Sequence, residues 1–185
     1  MIVERNHQRV PRRMQRRNFL MAAPFVIIGS KFAVAQDTVA PPVTGPVLLT
    51  VGGDIATPSE GSAAVFDQQR LDQLPQNEFR TSTIWTEGVR RFSGPTLQGL
   101  LDDVGAGSGE IMATAINNYV VDISRSLVEP TTPIIATRID GMLFSVRRKG
   151  PLWIVFPYDS DPLFRSELVY ASSVWQLSKL TVLQP

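Results

Sequence analysis

The sequence predicts a single α+β domain, strand-rich with two or three short helices, and three observations carry that prediction. Beyond residue 110 the apolar residues come in short runs broken by turn-forming Pro, Gly, Asn and Asp, a pattern of strands rather than helices. Helical spacing of apolar residues occurs in only a few short stretches, of which GPTLQGLLDDVGA is the clearest. Once an N-terminal leader is set aside, about 150 residues remain, enough for one domain with its own core.

Residues 1–35 read as a signal peptide. Arg5, Arg9, Arg12, Arg13, Arg16 and Arg17 make its start basic, Phe19 to Gly29 is apolar, and Ala33-Val34-Ala35 offers small residues to a signal peptidase. Arg16-Arg17-Asn18-Phe19-Leu20 matches the core of the twin-arginine pattern, and Lys31 suits that pathway. Gln15 and Met21 depart from it, and general secretory export is the alternative. The bland alternative is an uncleaved anchor, but Pro24 and Lys31 leave the apolar run short of the roughly 20 residues a bilayer span needs, and no stable span is expected after cleavage. Residues 36–46 (QDTVAPPVTGP) read as a linker, and the domain is expected over 47–185.

Along the domain, VLLTVGGDI and AAVFD read as strands, and Asp67 at the end of the second is placed to cap a helix that runs to Leu74 and stops at Pro75. EFRTSTIW alternates as a strand, with Phe79, Thr81, Thr83 and Trp85 on one face and Arg80, Ser82 and Ile84 on the other. The next helix has Pro95 near its first turn, Leu97, Leu100, Leu101 and Val104 on one face, and Gly105 beyond its end. EIMATAIN and YVVDIS flank a turn at Asn117-Asn118, and PIIATRIDGMLFSV reads as a hairpin closed by Asp140-Gly141. PLWIVFP fits a fully buried strand. VWQLSKLTVL, the closing strand, alternates Val174, Gln176 and Ser178 against Trp175, Leu177 and Lys179 before turning apolar.

Cleavage after residue 35 takes away seven of the 18 basic residues and one of the 17 acidic ones, leaving 11 against 16 and a net charge of −5. An acidic surface of this kind argues against nucleic acid as a partner. The one histidine, His7, leaves with the leader, and there is no cysteine. That removes imidazole bases, thiolates, disulfides and the usual zinc sites. A serine nucleophile would need Lys149 or Lys179 as its base, and no short motif sets a serine beside either, which argues against hydrolase chemistry.

Four segments in order, FSGPTLQGLLDDVGA, YVVDISRSL, IDGMLFSVRRKGPLWIVFP and SSVWQLSKLTV, resemble the molybdopterin-binding oxidoreductase domain of the sulfite oxidase family, in particular its short exported members. The resemblance covers about Val47 to Leu183 and rests on the order and spacing of the segments, each of which is weak alone. It implies a mixed α+β fold with a cleft for the pyranopterin and its molybdenum, loaded before export. In that family a Cys thiolate anchors the metal on a loop upstream of the GPTLQGLL-type helix. Here Arg80-Thr81-Ser82-Thr83 stands at that place, with Ser82 nearest the position of the Cys. A serine hydroxyl is a poorer donor than a thiolate to molybdenum, although serine ligates that metal in another family.

By the same resemblance Arg80, Ser82, Thr83 and Trp85 line the cofactor cleft; on their own they also read as an ordinary strand end. Asn117, Asn118 and Tyr119 are turn formers whose amides and phenol would also suit a pterin or small polar ligand. Arg147-Arg148-Lys149-Gly150 is the only basic cluster left after cleavage, either a solvated face or an anion- or phosphate-binding site, and the resemblance implies Arg148 and Lys149 as pterin-binding groups. Glu87-Gly88 reads as a turn, as does Asp159-Ser160-Asp161-Pro162, whose two carboxylates are too few for a calcium loop. The expected function is a periplasmic module that binds a small molecule or a protein partner, holds no cofactor and performs no redox turnover. The alternative is a molybdopterin-dependent oxidoreductase with an oxygen ligand on the metal.

Overall fold

A computed structural model describes residues 43–185; the leader and residues 36–42 of the predicted linker lie outside the described residues. The first strand, β1 (Leu49–Gly53), pairs antiparallel with β2 (Ala64–Phe66). Asp67 then caps α1 (Gln68–Gln73) as expected, its Oδ1 accepting from the Arg70 amide at 2.8 Å. Its Oδ2 accepts from the amides of Thr44 and Gly45, which ties these two residues of the predicted linker to the helix cap.

The next two strands, β3 (Gln76–Ser82) and β4 (Val89–Pro95), form a hairpin in unbroken register from Gln76 opposite Pro95 to Ser82 opposite Val89. The alternation expected for EFRTSTIW holds as far as Ser82 and then stops. Thr83 Oγ1 accepts from the Trp85 amide at 3.1 Å, which turns the chain and carries Trp85 inward from a loop. Pro95 proves to be the last residue of β4 rather than part of the following helix. Thr96 is the cap of α2 (Leu97–Asp103), accepting from the Gly99 amide at 3.0 Å. The predicted face of α2, Leu97, Leu100, Leu101 and Val104, is buried throughout.

A turn at Asn117-Asn118 joins β5 (Ile111–Ala115) to β6 (Val120–Ile123), with Asn118 in the left-handed region at φ 64°. The hairpin expected over residues 133–146 divides. Ile134–Ala136 forms β7, while Asp140-Gly141 closes only β8 (Arg138–Ile139) against β9 (Met142–Leu143). The cause is a competing partner: β7 pairs instead with the fully buried β10 (Trp153–Val155), Trp153 opposite Ala136. A third short helix, α3 (Glu167–Ala171), precedes the closing strand β11 (Leu177–Val182). The expected alternation into β11 is broken by a register shift between Leu177 and Lys179 and by Gln176 at φ 51°.

These strands form one sheet in the order β2-β1-β11-β5-β6, in which only β1 and β11 run parallel, and a second in the order β3-β4-β8-β9. The β7–β10 ribbon ties the two together. Thr96 bridges to Ile134 at one side, and at the other Trp153 bridges to Trp175 while the Leu177 amide donates to the Leu152 carbonyl. Gly94 lets β4 lie close to β7, since a Cβ there would collide with the Ile135 carbonyl oxygen. One continuous apolar core, including Leu49, Phe92, Leu100, Ile111, Trp153 and Leu180, runs through both sheets and the ribbon. The architecture is α+β and strand-rich. Among the described residues no helix is long and apolar enough to cross a membrane.

Candidate functional site

Where the ribbon meets the entry to β11, the aromatic residues collect. The half-buried ring of Trp85 stands edge-on to Trp153, Tyr170 and Trp175, with centroids 5.7–5.8 Å apart, and to Tyr158 at 6.2 Å. Such edge-to-face contacts add about 0.5–1.5 kcal/mol each beyond the area they bury, so the cluster holds its rings in fixed places. Trp153 and Tyr158 are its buried side. Trp85, Tyr170 and Trp175 face a cleft of about 370 Å³, closed opposite them by Asn117 and Tyr119 at the β5–β6 turn and by Ser173.

The turn presents these groups because Asn118 takes the left-handed conformation and Asn117 Oδ1 accepts from the Tyr119 amide at 3.1 Å. Ser173 is fixed by two bonds: its hydroxyl donates to the Val169 carbonyl at 2.7 Å and accepts from the Tyr158 hydroxyl at 2.7 Å. Burial pushes the Tyr158 phenol far up, so it stays protonated and remains the donor. Among the described residues the cleft lining has no carboxylate, imidazole or amine. Its rings can hold a flat ligand by stacking, and the Asn117 amide can bond a polar edge.

Of the residues expected to form one site, the cleft brings together Trp85, Asn117 and Tyr119. Arg80 lies exposed on β3 opposite Arg91, outside every cleft described. Thr83 acts on the backbone of the Trp85 loop, and its Oγ1 is 2.9 Å from that of Thr86. Asn118 shapes the turn, while its side chain is not part of the cleft lining. Lys149 lies beside the site, its Nζ 4.3 Å over the centre of the Trp175 ring, and it lines a second cleft. Arg148 belongs to the 3-10 turn Val146–Arg148; its side chain lies outside what the structure describes. Tyr170 and Ser173 were not legible as site residues, because nothing in ELVYASS marks a wall; Trp175 from the closing segment, 36% exposed, joins them in the lining.

Ser82, the position aligned with the family's metal-binding thiolate, has another occupation. Its amide and hydroxyl both donate to Asp159, the hydroxyl at 2.7 Å to Oδ1, and Arg165 Nη2 reaches the same oxygen at 2.6 Å. The Asp159–Pro162 turn thus clamps the end of β3, and Asp161 caps the 3-10 turn that follows by accepting from the Leu163 amide. The bonds from the Ser82 amide and hydroxyl, then that from Arg165, hold the Asp159 carboxyl down to about 2. A folded value below the ordinary 3.8 means a contribution to stability that is complete above about pH 4 and lost as pH falls through 2. Melting temperatures measured from pH 5 to pH 2 should therefore fall less steeply in Asp159→Asn than in the parent. Equal slopes would show that the clamp does not form.

The fold and the site define an α+β domain with an aromatic cleft. No protein-family model matches the chain, and no curated protein matches it.

Proposed function

We propose that the chain is an exported, periplasmic binding module with the fold of the sulfite oxidase family's molybdopterin domain, taking a flat, polar-edged small molecule in the aromatic cleft without redox turnover. The observation that carries this reading is the cleft itself, in which indole and phenol rings, an amide and no acid–base side chain converge. The twin-arginine-like leader supports export, and the order of helix, hairpin and closing Trp175 strand supports the family fold. A pterin without metal fits the cleft chemistry, its rings against Trp175 and its amide edge toward Asn117.

The residues assigned to a molybdenum cofactor do not fit that group. Ser82 Oγ is a donor to Asp159, and Arg80 is exposed on β3 and is not in the lining that includes Trp85 and Asn117. The oxidoreductase alternative therefore lacks a protein ligand at the expected place, and Ser82→Cys should leave the molybdenum content of protein from a molybdenum-competent host unchanged.

Titration of the intact protein with free pterin, followed by tryptophan fluorescence, tests the binding reading. Saturable quenching is expected, weakened about 3- to 10-fold by Trp175→Ala, the worth of one aromatic contact. Asn117→Ala should weaken it by a similar factor through loss of one hydrogen bond. Quenching that does not saturate, or that neither substitution alters, would remove the support for the cleft as the site. Near-stoichiometric molybdenum in the unaltered protein would favour the oxidoreductase.

A further inference from the structure

A second cleft, of about 410 Å³, lies on the other side of the Trp153–Trp175 wall, between the Trp85 loop, the β8–β9 hairpin and the 3-10 turn Val146–Arg148. Its apolar surface comes from Ile139, Met142 and Phe144, with Trp153 buried beneath them. Its charged groups are Arg90, Arg147 and Lys149 against Glu87 and Asp140. Arg90 is committed, donating to Asp140 at 3.0 Å and to the Glu87 carbonyl at 3.1 Å. Among the described residues Arg147 and Lys149 have no carboxylate within 4.0 Å. The lining therefore carries one net positive charge on a domain whose balance is negative. A cleft of this sign and size is a site for a small monoanion.

The backbone supports the same conclusion independently. Lys149 sits in the left-handed region at φ 68°, where glycine or asparagine would be less strained. Its neighbour across the gap, Gln176, is also left-handed at φ 51°, and the Gln176 amide donates to the Lys149 carbonyl at 3.0 Å. Gln176 Nε2 donates to the Val146 carbonyl at 2.9 Å, so the loop is clamped at both ends. Gly150 follows because a Cβ there would collide with Phe144. Two left-handed non-glycine residues held in one clamp mark a place where position matters more than local comfort. The clamp fixes the backbone from which the Lys149 side chain leaves; that residue lines the second cleft, and its ammonium rests on the face of Trp175.

We propose that this second cleft binds an organic monoanion, a carboxylate carried on an aromatic or compact apolar body. The carboxylate lies between Arg147 and Lys149, and the body packs on Ile139, Met142 and Phe144. The two clefts share no lining residue, and they meet where Lys149 rests on Trp175.

Calorimetric titration of the intact protein with 2-naphthoate and with its uncharged isostere 2-naphthamide tests the assignment. One molecule of naphthoate per chain is expected, at least tenfold tighter than the amide, with affinity falling as salt rises. Arg147→Gln should weaken naphthoate at least fivefold and leave the amide unchanged. Lys149→Gly is the decisive variant, because it relaxes the left-handed backbone while removing the cation. Its melting temperature should be equal or higher and its naphthoate affinity at least fivefold lower. Asn117→Ala, which lies in the aromatic cleft, should leave naphthoate binding intact and so separates failure here from failure of the pterin reading. Equal affinity for acid and amide, no binding at millimolar naphthoate, or naphthoate affinity indifferent to both charge removals would overturn the proposal.

Discussion

Deleting residues 174–185 should leave a chain that no longer unfolds cooperatively. The deletion removes β11, which lies between β1 and β5 in the five-stranded sheet and is paired along both sides. Val174, Leu177, Leu180 and Val182 leave the core with it. At about 1.5–3 kcal/mol for each buried aliphatic side chain, the loss is of the order of the whole stability of a domain, about 5–15 kcal/mol. Two strand edges would also be left open to pairing with other chains, so aggregation should accompany unfolding. Calorimetry and near-ultraviolet circular dichroism of the shortened chain would read the result. A monomer with a sharp melting transition would mean that β11 is not the central strand described.

Trp153→Ala should be the most damaging single substitution among the aromatic residues, lowering stability by about 3–5 kcal/mol. Its side chain is fully buried and lies 5.5 Å from Phe92, 5.7 Å from Trp85, 6.1 Å from Phe144 and 6.5 Å from Trp175, centroid to centroid. Its Nε1 donates to the Ser173 carbonyl at 3.3 Å, a bond that alanine cannot replace. The cavity would open between the two clefts, so Trp85 and Trp175 should lose their fixed edges and both clefts should loosen with the core. Urea unfolding should show a lower midpoint at an unchanged slope. A loss below about 1 kcal/mol would show that the neighbouring rings close the space, against the behaviour of most large-to-small core changes.

Much of this architecture is written in local patterns. Asp67 and the two Asn residues at 117 and 118 announce a cap and a turn by chemistry that acts within a few residues, and both lie where their sequence puts them. The α2 face was legible because Leu97, Leu100, Leu101 and Val104 meet one buried surface at helical spacing. Tertiary competition was not legible. Ile134–Ala136 reads as half of a local hairpin, and only the presence of β10 diverts it. The strand β4 escaped notice because VRRFSGP has adjacent arginines and no alternation, its exposure passing from Val89 outside to Phe92, Gly94 and Pro95 inside. The site shows the same division. Trp85, Asn117 and Tyr119 stood out as residue types, whereas the diversion of Ser82 to Asp159 depends on a contact 77 residues away in sequence.

The parallel pairing of β1 with β11 has a consequence for when the domain comes into being. The two strands are at opposite ends of the described residues, so the centre of the larger sheet cannot form until residue 182 has left the ribosome. Everything made earlier, including the β3–β4 hairpin and α2, waits with β1 lacking the partner on its inner edge. Contacts so distant in sequence slow folding, since the loop must close before the pairing rewards it. The nascent chain therefore passes through an interval in which an unpaired strand and an apolar face are open to chaperones or to self-association. A route that carries folded proteins would have to wait through that interval, while one that threads unfolded chains would have to act within it.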